Sequence, residues 1–67
     1  MSAVVVNGAP WEGPEGTTVA DLVAEWCPSP RGIAVARNGE IVPKSRWAGT
    51  RVTTGDQIEI VTAAAGG

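Results

Sequence analysis

The sequence predicts an α+β domain: a mixed sheet of four to five strands with one main helix packed on one face. Three observations predict it. Strand-type runs stand at the two ends of the chain, Ala3-Val4-Val5-Val6-Asn7 and Gln57 to Thr62. Two Asn-Gly dipeptides, Asn7-Gly8 and Asn38-Gly39, mark hairpins, because both residues tolerate the positive φ that tight hairpin turns require. A single amphipathic helix lies between these hairpins. Two hairpins flanking a helical crossover give the order β-β-α-β-β-turn-β.

Each element has its own warrant. The β-branched run at Val4–Val6 is of strand type, and three adjacent valines suggest burial on both faces, as in a central strand. A short second strand is expected near Trp11-Glu12. Pro10 and Pro14 lack N–H donors, which confines it to an edge. Thr18 is the expected helix N-cap, with Asp21 three residues on as a variant of the capping box. Val19, Leu22, Val23 and Trp26 fall at i, i+3, i+4 and i+7, one face of the helix, so Trp26 is expected in the core. Pro28 and Pro30 stop the helix, since the residue before a proline avoids the α region. Cys27, at that end, reads as a small buried hydrophobe; the alternative, a reactive thiol, has no base nearby to activate it.

Ile33 to Arg37 is the third strand and Glu40-Ile41-Val42 its return. Lys44 to Trp47 reads as one irregular turn that folds Trp47 back onto the core; an exposed, stacking Trp47 is the alternative. Gly55-Asp56 turns the chain into the last strand, where Ile58 and Ile60 point one way and Gln57 and Glu59 the other. A right-handed crossover puts the third strand beside the first or one place away. Pairing the last strand with the first, in parallel, would centre the valine run and complete a β-grasp arrangement.

Composition narrows the function. With 67 residues the chain is sized for one domain. One Cys allows no intramolecular disulfide and suits a reducing compartment. Without His, neither a Cys-His nor a Ser-His pair forms, and no transition-metal site is expected. Seven acidic against five basic residues, a net charge of −2, argue against nucleic acid as a partner. No apolar run approaches the ~20 residues of a membrane span, and the start lacks the charged region of a signal peptide. The expectation is a cytoplasmic, acidic domain.

The expected division is a body over residues 1–62 and a flexible tail over 63–67. Ala65, Gly66 and Gly67 offer almost no side chain, so an extended backbone could thread a narrow channel and present the Gly67 carboxylate. At ~3.3 Å per residue such an arm reaches roughly 17 Å. The alternative is an ordinary frayed terminus. A docking surface for a partner is expected on the sheet face away from the helix. If Ile58 and Ile60 face the helix, Val61 faces outward. Val35 shares a face with Arg37, which prefers solvent. An exposed apolar patch of Val35 and Val61, extended by Val5, follows; the alternative is that all three are ordinary half-buried sheet residues.

With these elements in place the chain resembles the ubiquitin-like proteins and, among them, the ThiS-type sulfur carriers of thiamine biosynthesis. The resemblance covers nearly the whole chain. Its most specific stretch is Ala36-Arg37-Asn38-Gly39-Glu40-Ile41-Val42-Pro43-Lys44-Ser45-Arg46-Trp47, an Asn-containing hairpin followed by Ile-Val-Pro, a basic residue and a Trp. Gly16-Thr17-Thr18-Val19, Gly55-Asp56-Gln57-Ile58 and the Ala-Gly-Gly end also match. The chain departs from the pattern at Lys44, where Arg is common, and at Ala63-Ala64, which are less bulky than in many relatives.

The resemblance implies a protein co-substrate that is not itself an enzyme. A ThiF-type adenylyltransferase would use MgATP to convert the Gly67 carboxylate to an acyl-adenylate. A cysteine desulfurase-linked sulfur donor would then displace AMP to give a thiocarboxylate. A ThiG-type thiazole synthase would take that sulfur into the thiazole ring. No cofactor would be bound by this chain. The small subunit of molybdopterin synthase and a ubiquitin-like protein modifier share the fold and the tail; the stretch from Ile41 to Trp47 argues for the thiamine pathway. The residues agree with a passive role: no phosphate-cradling loop, metal cluster or nucleophile–base pair stands in the sequence, so activation of a carboxylate must come from a partner.

Overall fold

The computed structural model describes residues 3–26 and 32–62. The elements are β1 (Val4–Val6), β2 (Ala9–Trp11), α1 (Val19–Trp26), β3 (Ile33–Arg37), β4 (Glu40–Ile41), a 3-10 helix (Lys44–Gly49) and β5 (Gln57–Thr62). The five strands form one mixed sheet in the order β2-β1-β5-β3-β4. β1 and β5 are parallel, and the other pairs are antiparallel. The crossover through α1 sets β3 one place from β1, within the two options that handedness allows.

The strand expected at the centre is not there. β5 is central, and β1 stands between it and the edge strand β2. Val4 and Val6 are accordingly buried against the helix, while Val5 is only half-buried on the other face. The valine run therefore reflects one buried face plus a β-branched residue on the half-open side, not burial on both faces.

The helix begins as its sequence dictates. The Thr18 N–H donates to Asp21 Oδ2 at 3.0 Å and the Asp21 N–H to Thr18 Oγ1 at 3.1 Å, a reciprocal capping box. Val19, Leu22 and Val23 are buried. Trp26 is not: it is 42% exposed, a correction to its expected place in the core. It is the last residue of α1. The core is closed from below by Trp47. Its ring is buried and its Nε1–H donates to the carbonyl of Val42, the residue after β4, at 2.9 Å, so the 3-10 helix is pinned to the segment that leads into it.

Both Asn-Gly turns adopt the expected left-handed backbone, with φ of 52° at Asn7 and at Asn38, followed by Gly8 at 81° and Gly39 at 85°. Each asparagine side chain also reaches β5. At the start of that strand, the Gln57 N–H donates to Asn38 Oδ1 at 2.9 Å. Asn38 Nδ2 donates in turn to Asp56 Oδ1 at 2.9 Å. Near its end, the Ile60 N–H donates to Asn7 Oδ1 at 2.8 Å, and Asn7 Nδ2 donates to the Ile60 carbonyl at 3.2 Å.

Asp56 is the one buried charged residue among those described, 5% exposed. It accepts from Arg37 Nε at 2.9 Å, from the Thr53 N–H at 2.8 Å and from the Thr53 hydroxyl at 3.2 Å, besides Asn38. Burial pushes its carboxyl up. The hydrogen bonds from Asn38, Thr53 and Arg37 and the Arg37 charge outweigh burial and hold it below the usual range. A carboxyl depressed by folding stabilises the fold above the unfolded value of ~3.9, and the contribution is lost as pH falls through the folded value. Unfolding free energy, measured by denaturant titration across acid pH, is expected to drop below pH ~4, and the Asp56→Asn variant is expected to flatten that drop. At neutral pH Asp56→Ala, which strands these donors, is expected to cost about 2–3 kcal/mol.

Candidate functional site

The site is built on β5, because that strand feeds the terminal segment. Ala65, Gly66 and Gly67 lie outside the described residues, as do Cys27, Pro28 and Pro30. What the structure describes is the strand that leads to them and the sheet face beside it. β5 is paired with β3 as far as Thr62, which stands opposite Ile33. On its other flank the parallel ladder with β1 pairs Val5 with Gln57 and Val6 with Ile58.

Register sorts the side chains onto two faces, since directly paired residues share a face and neighbours along a strand alternate. Val35 pairs with Ile60, and both are buried beneath the helix. Ala34 pairs with Val61, Ala36 with Glu59 and with Ile41, and Val5 with Gln57 and with Pro10. These line the opposite, open face. Ala34 and Ala36 are small, so Val61 and Ile41 stand proud of it, 55% and 70% exposed.

Val35 therefore does not belong to the expected patch. It is 0% exposed and part of the core. Alternation correctly ties it to Arg37, but Arg37 lies on the helix side of the sheet. It ends β3 and is only half-buried there, with Asp56 supplying a counter-charge at 2.9 Å. A charged residue at a strand terminus is a poor marker of which face is wet. Val5 and Val61 do share the open face, and Ile41 joins them. Reading the pairing of Ile41 with Ala36 needs the hairpin register, which the Asn38-Gly39 turn specifies.

Two shallow clefts are formed elsewhere. One, of about 450 Å³, is lined by Glu15, Gly16, Arg51, Val52, Thr53 and Thr54. The other, of about 370 Å³, lies between β4 and the 3-10 helix and includes Arg37 and Arg46. Neither is lined by a residue of β5. Among the described residues no group of three His, Cys, Asp or Glu side chains comes together as a metal site, and no helix is long and apolar enough to cross a membrane.

A five-stranded mixed sheet, with its helix on one face and its central strand leading to the chain's terminal segment, defines a ubiquitin-like β-grasp domain. Comparison with known proteins carries this to a family. Residues 4–67 match the ThiS family. The sulfur carrier protein ThiS of Escherichia coli K12 is 34% identical over 64 residues, covering 96% of this chain and 97% of that protein. The crystal structure of the thiamine biosynthesis protein ThiS from Geobacter metallireducens superposes with a TM-score of 0.81 at 29% identity, covering 97% of this chain and 99% of that one. The chain belongs to the ThiS family, the sulfur carriers of thiamine biosynthesis. A thiazole synthase of Paramagnetospirillum magneticum is 42% identical over 64 residues; these make up 96% of this chain and 20% of that protein, so the chain spans about a fifth of that relative's length.

The face assignment has a direct check. Val35→Ala removes two methyl groups from the core and is expected to cost about 2 kcal/mol. Val61→Ala, on the open face, is expected to change stability by less than about 0.5 kcal/mol. Urea denaturation of the two variants measures both.

Proposed function

We propose that Gly67 carries the sulfur and that partner enzymes do all the chemistry on it. The observation that carries this reading is the family match itself. It runs unbroken from the first strand to Gly67, so the terminal glycines belong to the matched pattern along with the body. In the proposed sequence, a carboxylate oxygen of Gly67 attacks the α-phosphorus of MgATP in a ThiF-type adenylyltransferase, and pyrophosphate leaves. The terminal sulfur of a persulfide on a cysteine desulfurase-linked donor then attacks the acyl carbon, AMP leaves, and an acyl disulfide joins the two proteins. A thiol reductant cleaves its S–S bond, and the product is a thiocarboxylate. A carboxylate is a poor electrophile because its negative charge opposes attack, and the adenylate both removes that charge and supplies a leaving group.

The thiazole ring is the proposed destination of the sulfur, through a ThiG-type thiazole synthase. Support comes from the relative named thiazole synthase, a fifth of which is similar to this whole chain. A carrier-like segment within such a protein is what a direct hand-over between the two would favour, since linkage replaces a bimolecular encounter by a high effective concentration.

The tail's small residues suit threading. Gly66 and Gly67 let extended backbone lie in a channel, held by main-chain hydrogen bonds as in strand addition. Val5, Val61 and Ile41 on the open face would seat the body against the partner. The chain itself holds no nucleotide, and the adenylyltransferase brings the MgATP.

Incubation with MgATP, sulfide and a ThiF-type enzyme is expected to give the intact-mass gain of an oxygen-to-sulfur exchange, located on Gly67 by fragmentation. Gly67→Ala places a methyl against the channel wall and the reacting carbonyl. It is expected to lose ATP–pyrophosphate exchange by about a hundredfold with an unchanged thermal midpoint. Turnover at the wild-type rate by that variant would count against Gly67 as the reacting residue.

A further inference from the structure

The strand that delivers the tail is longer than both of its supports, and the shortfall is greatest on the β1 side. β1 has three residues against six in β5. In the parallel ladder, the Asn7 N–H donates to the Ile58 carbonyl at 2.9 Å. The next rung would run from the Ile60 N–H to the Asn7 main-chain carbonyl and from the backbone beyond Asn7 to the Ile60 carbonyl, but the chain turns away there into its hairpin. The Asn7 carboxamide fills that rung. Its Oδ1 takes the Ile60 N–H at 2.8 Å and its Nδ2 serves the Ile60 carbonyl at 3.2 Å, across 53 residues of sequence. One side-chain amide stands in for a peptide unit of the missing strand. Ile60, with one donor and one acceptor to satisfy, fixes which way the carboxamide points.

We propose that Asn7 is a positioning residue for the reacting terminus: its carboxamide sets the last two-sided anchor of β5, at Ile60, and so the direction in which the chain leaves the body. This rests on the sulfur-carrier reading above. Beyond Ile60, β3 is the only described strand that pairs with Val61 and Thr62, and the terminal segment follows. Without the carboxamide, the anchored flank of β5 ends two residues earlier, at Ile58. The root of the arm then swings about a one-sided hinge, and fewer threaded arms reach the attacking geometry, where small displacements are costly. Two demands meet at this position. The φ of 52° favours Gly, Asn or Asp, and the rung requires a donor and an acceptor on one short side chain. Asn alone meets both.

That overlap also supplies the test. Asn7→Gly keeps the turn, since glycine accepts this φ freely, and removes only the carboxamide. Asn7→Asp, a second variant that also tolerates the turn, keeps the acceptor and loses the donor. Asn38→Gly is the control, because it takes the equivalent carboxamide from the far end of β5, at Gln57. Each protein is measured at a temperature where it is fully folded, by amide hydrogen exchange at Ile60 and by ATP–pyrophosphate exchange with a ThiF-type adenylyltransferase.

In Asn7→Gly the Ile60 amide is expected to exchange about tenfold faster or more. Its kcat is expected to fall about tenfold with KM within about twofold of wild type, the signature of lost positioning without lost docking. Asn38→Gly is expected to lower the thermal midpoint and leave kcat unchanged. An unchanged Ile60 amide in the Asn7 variants, a wild-type kcat beside a faster amide, or an equal loss of kcat in Asn38→Gly would each overturn the proposal. Wild-type protein inert in the exchange assay would overturn the sulfur-carrier reading and this role with it, while the Ile60 amide would still report whether the bridge exists.

Discussion

Burying a central strand obliges the protein to find a partner for every main-chain N–H and carbonyl along it, because an unpaired one costs the desolvation of that group. β5 is that strand, and its neighbours are too short to meet the obligation. The protein resolves the shortfall with two asparagines, each sitting at a hairpin turn that its backbone also shapes. Asn38 closes the start of β5 and Asn7 closes it near the end. The same dipeptide therefore serves a local purpose, reversing the chain, and a long-range one, completing the ladder of a strand far away in sequence.

The two outer edges of the sheet are closed by other means. β2 carries Pro10, and β4 is two residues long and runs into Pro43. A strand that lacks donors or length makes a poor template for pairing with another chain. The longest strand is the innermost one, and it is the one that leads to the terminal segment. A sheet built this way discourages edge pairing with another chain and leaves its open face and its terminus for contact, as the proposed carrier role requires.

Much of this was legible beforehand. Periodicity located α1, and the Thr18–Asp21 pair located its start, because capping depends on residues within one turn of each other. The bounds of β3 and β5 followed from their alternation and from the turns beside them. Trp47 as the lid on the core followed from its place after a proline-ended strand. Four side chains, Val35, Trp26, Asn7 and Asn38, were misjudged or missed, and all but Trp26 because their environment is assembled from distant segments. Arg37 pulled Val35 to the wrong face, since the counter-charge that holds Arg37 at the sheet's end is Asp56, nineteen residues on. Trp26 had the right helical phase but stands at the last residue of α1, where it is exposed. Asn7 and Asn38 were visible as turn residues, and nothing near them in sequence announces Gln57 or Ile60.

What the residues determine alone is everything that depends on neighbours along the chain: strand and helix type, caps, turns, and the small, side-chain-poor end that the ThiS pattern shares. These follow from torsional preference, local hydrogen bonding and periodicity, which act over a few residues. What the tertiary structure decided is which strand is central, which face of β3 is dry, and which side chains complete β5. Those depend on the order in which strands pair. Strand order is set by the burial of both faces of the whole sheet together, and no single window of the chain contains it.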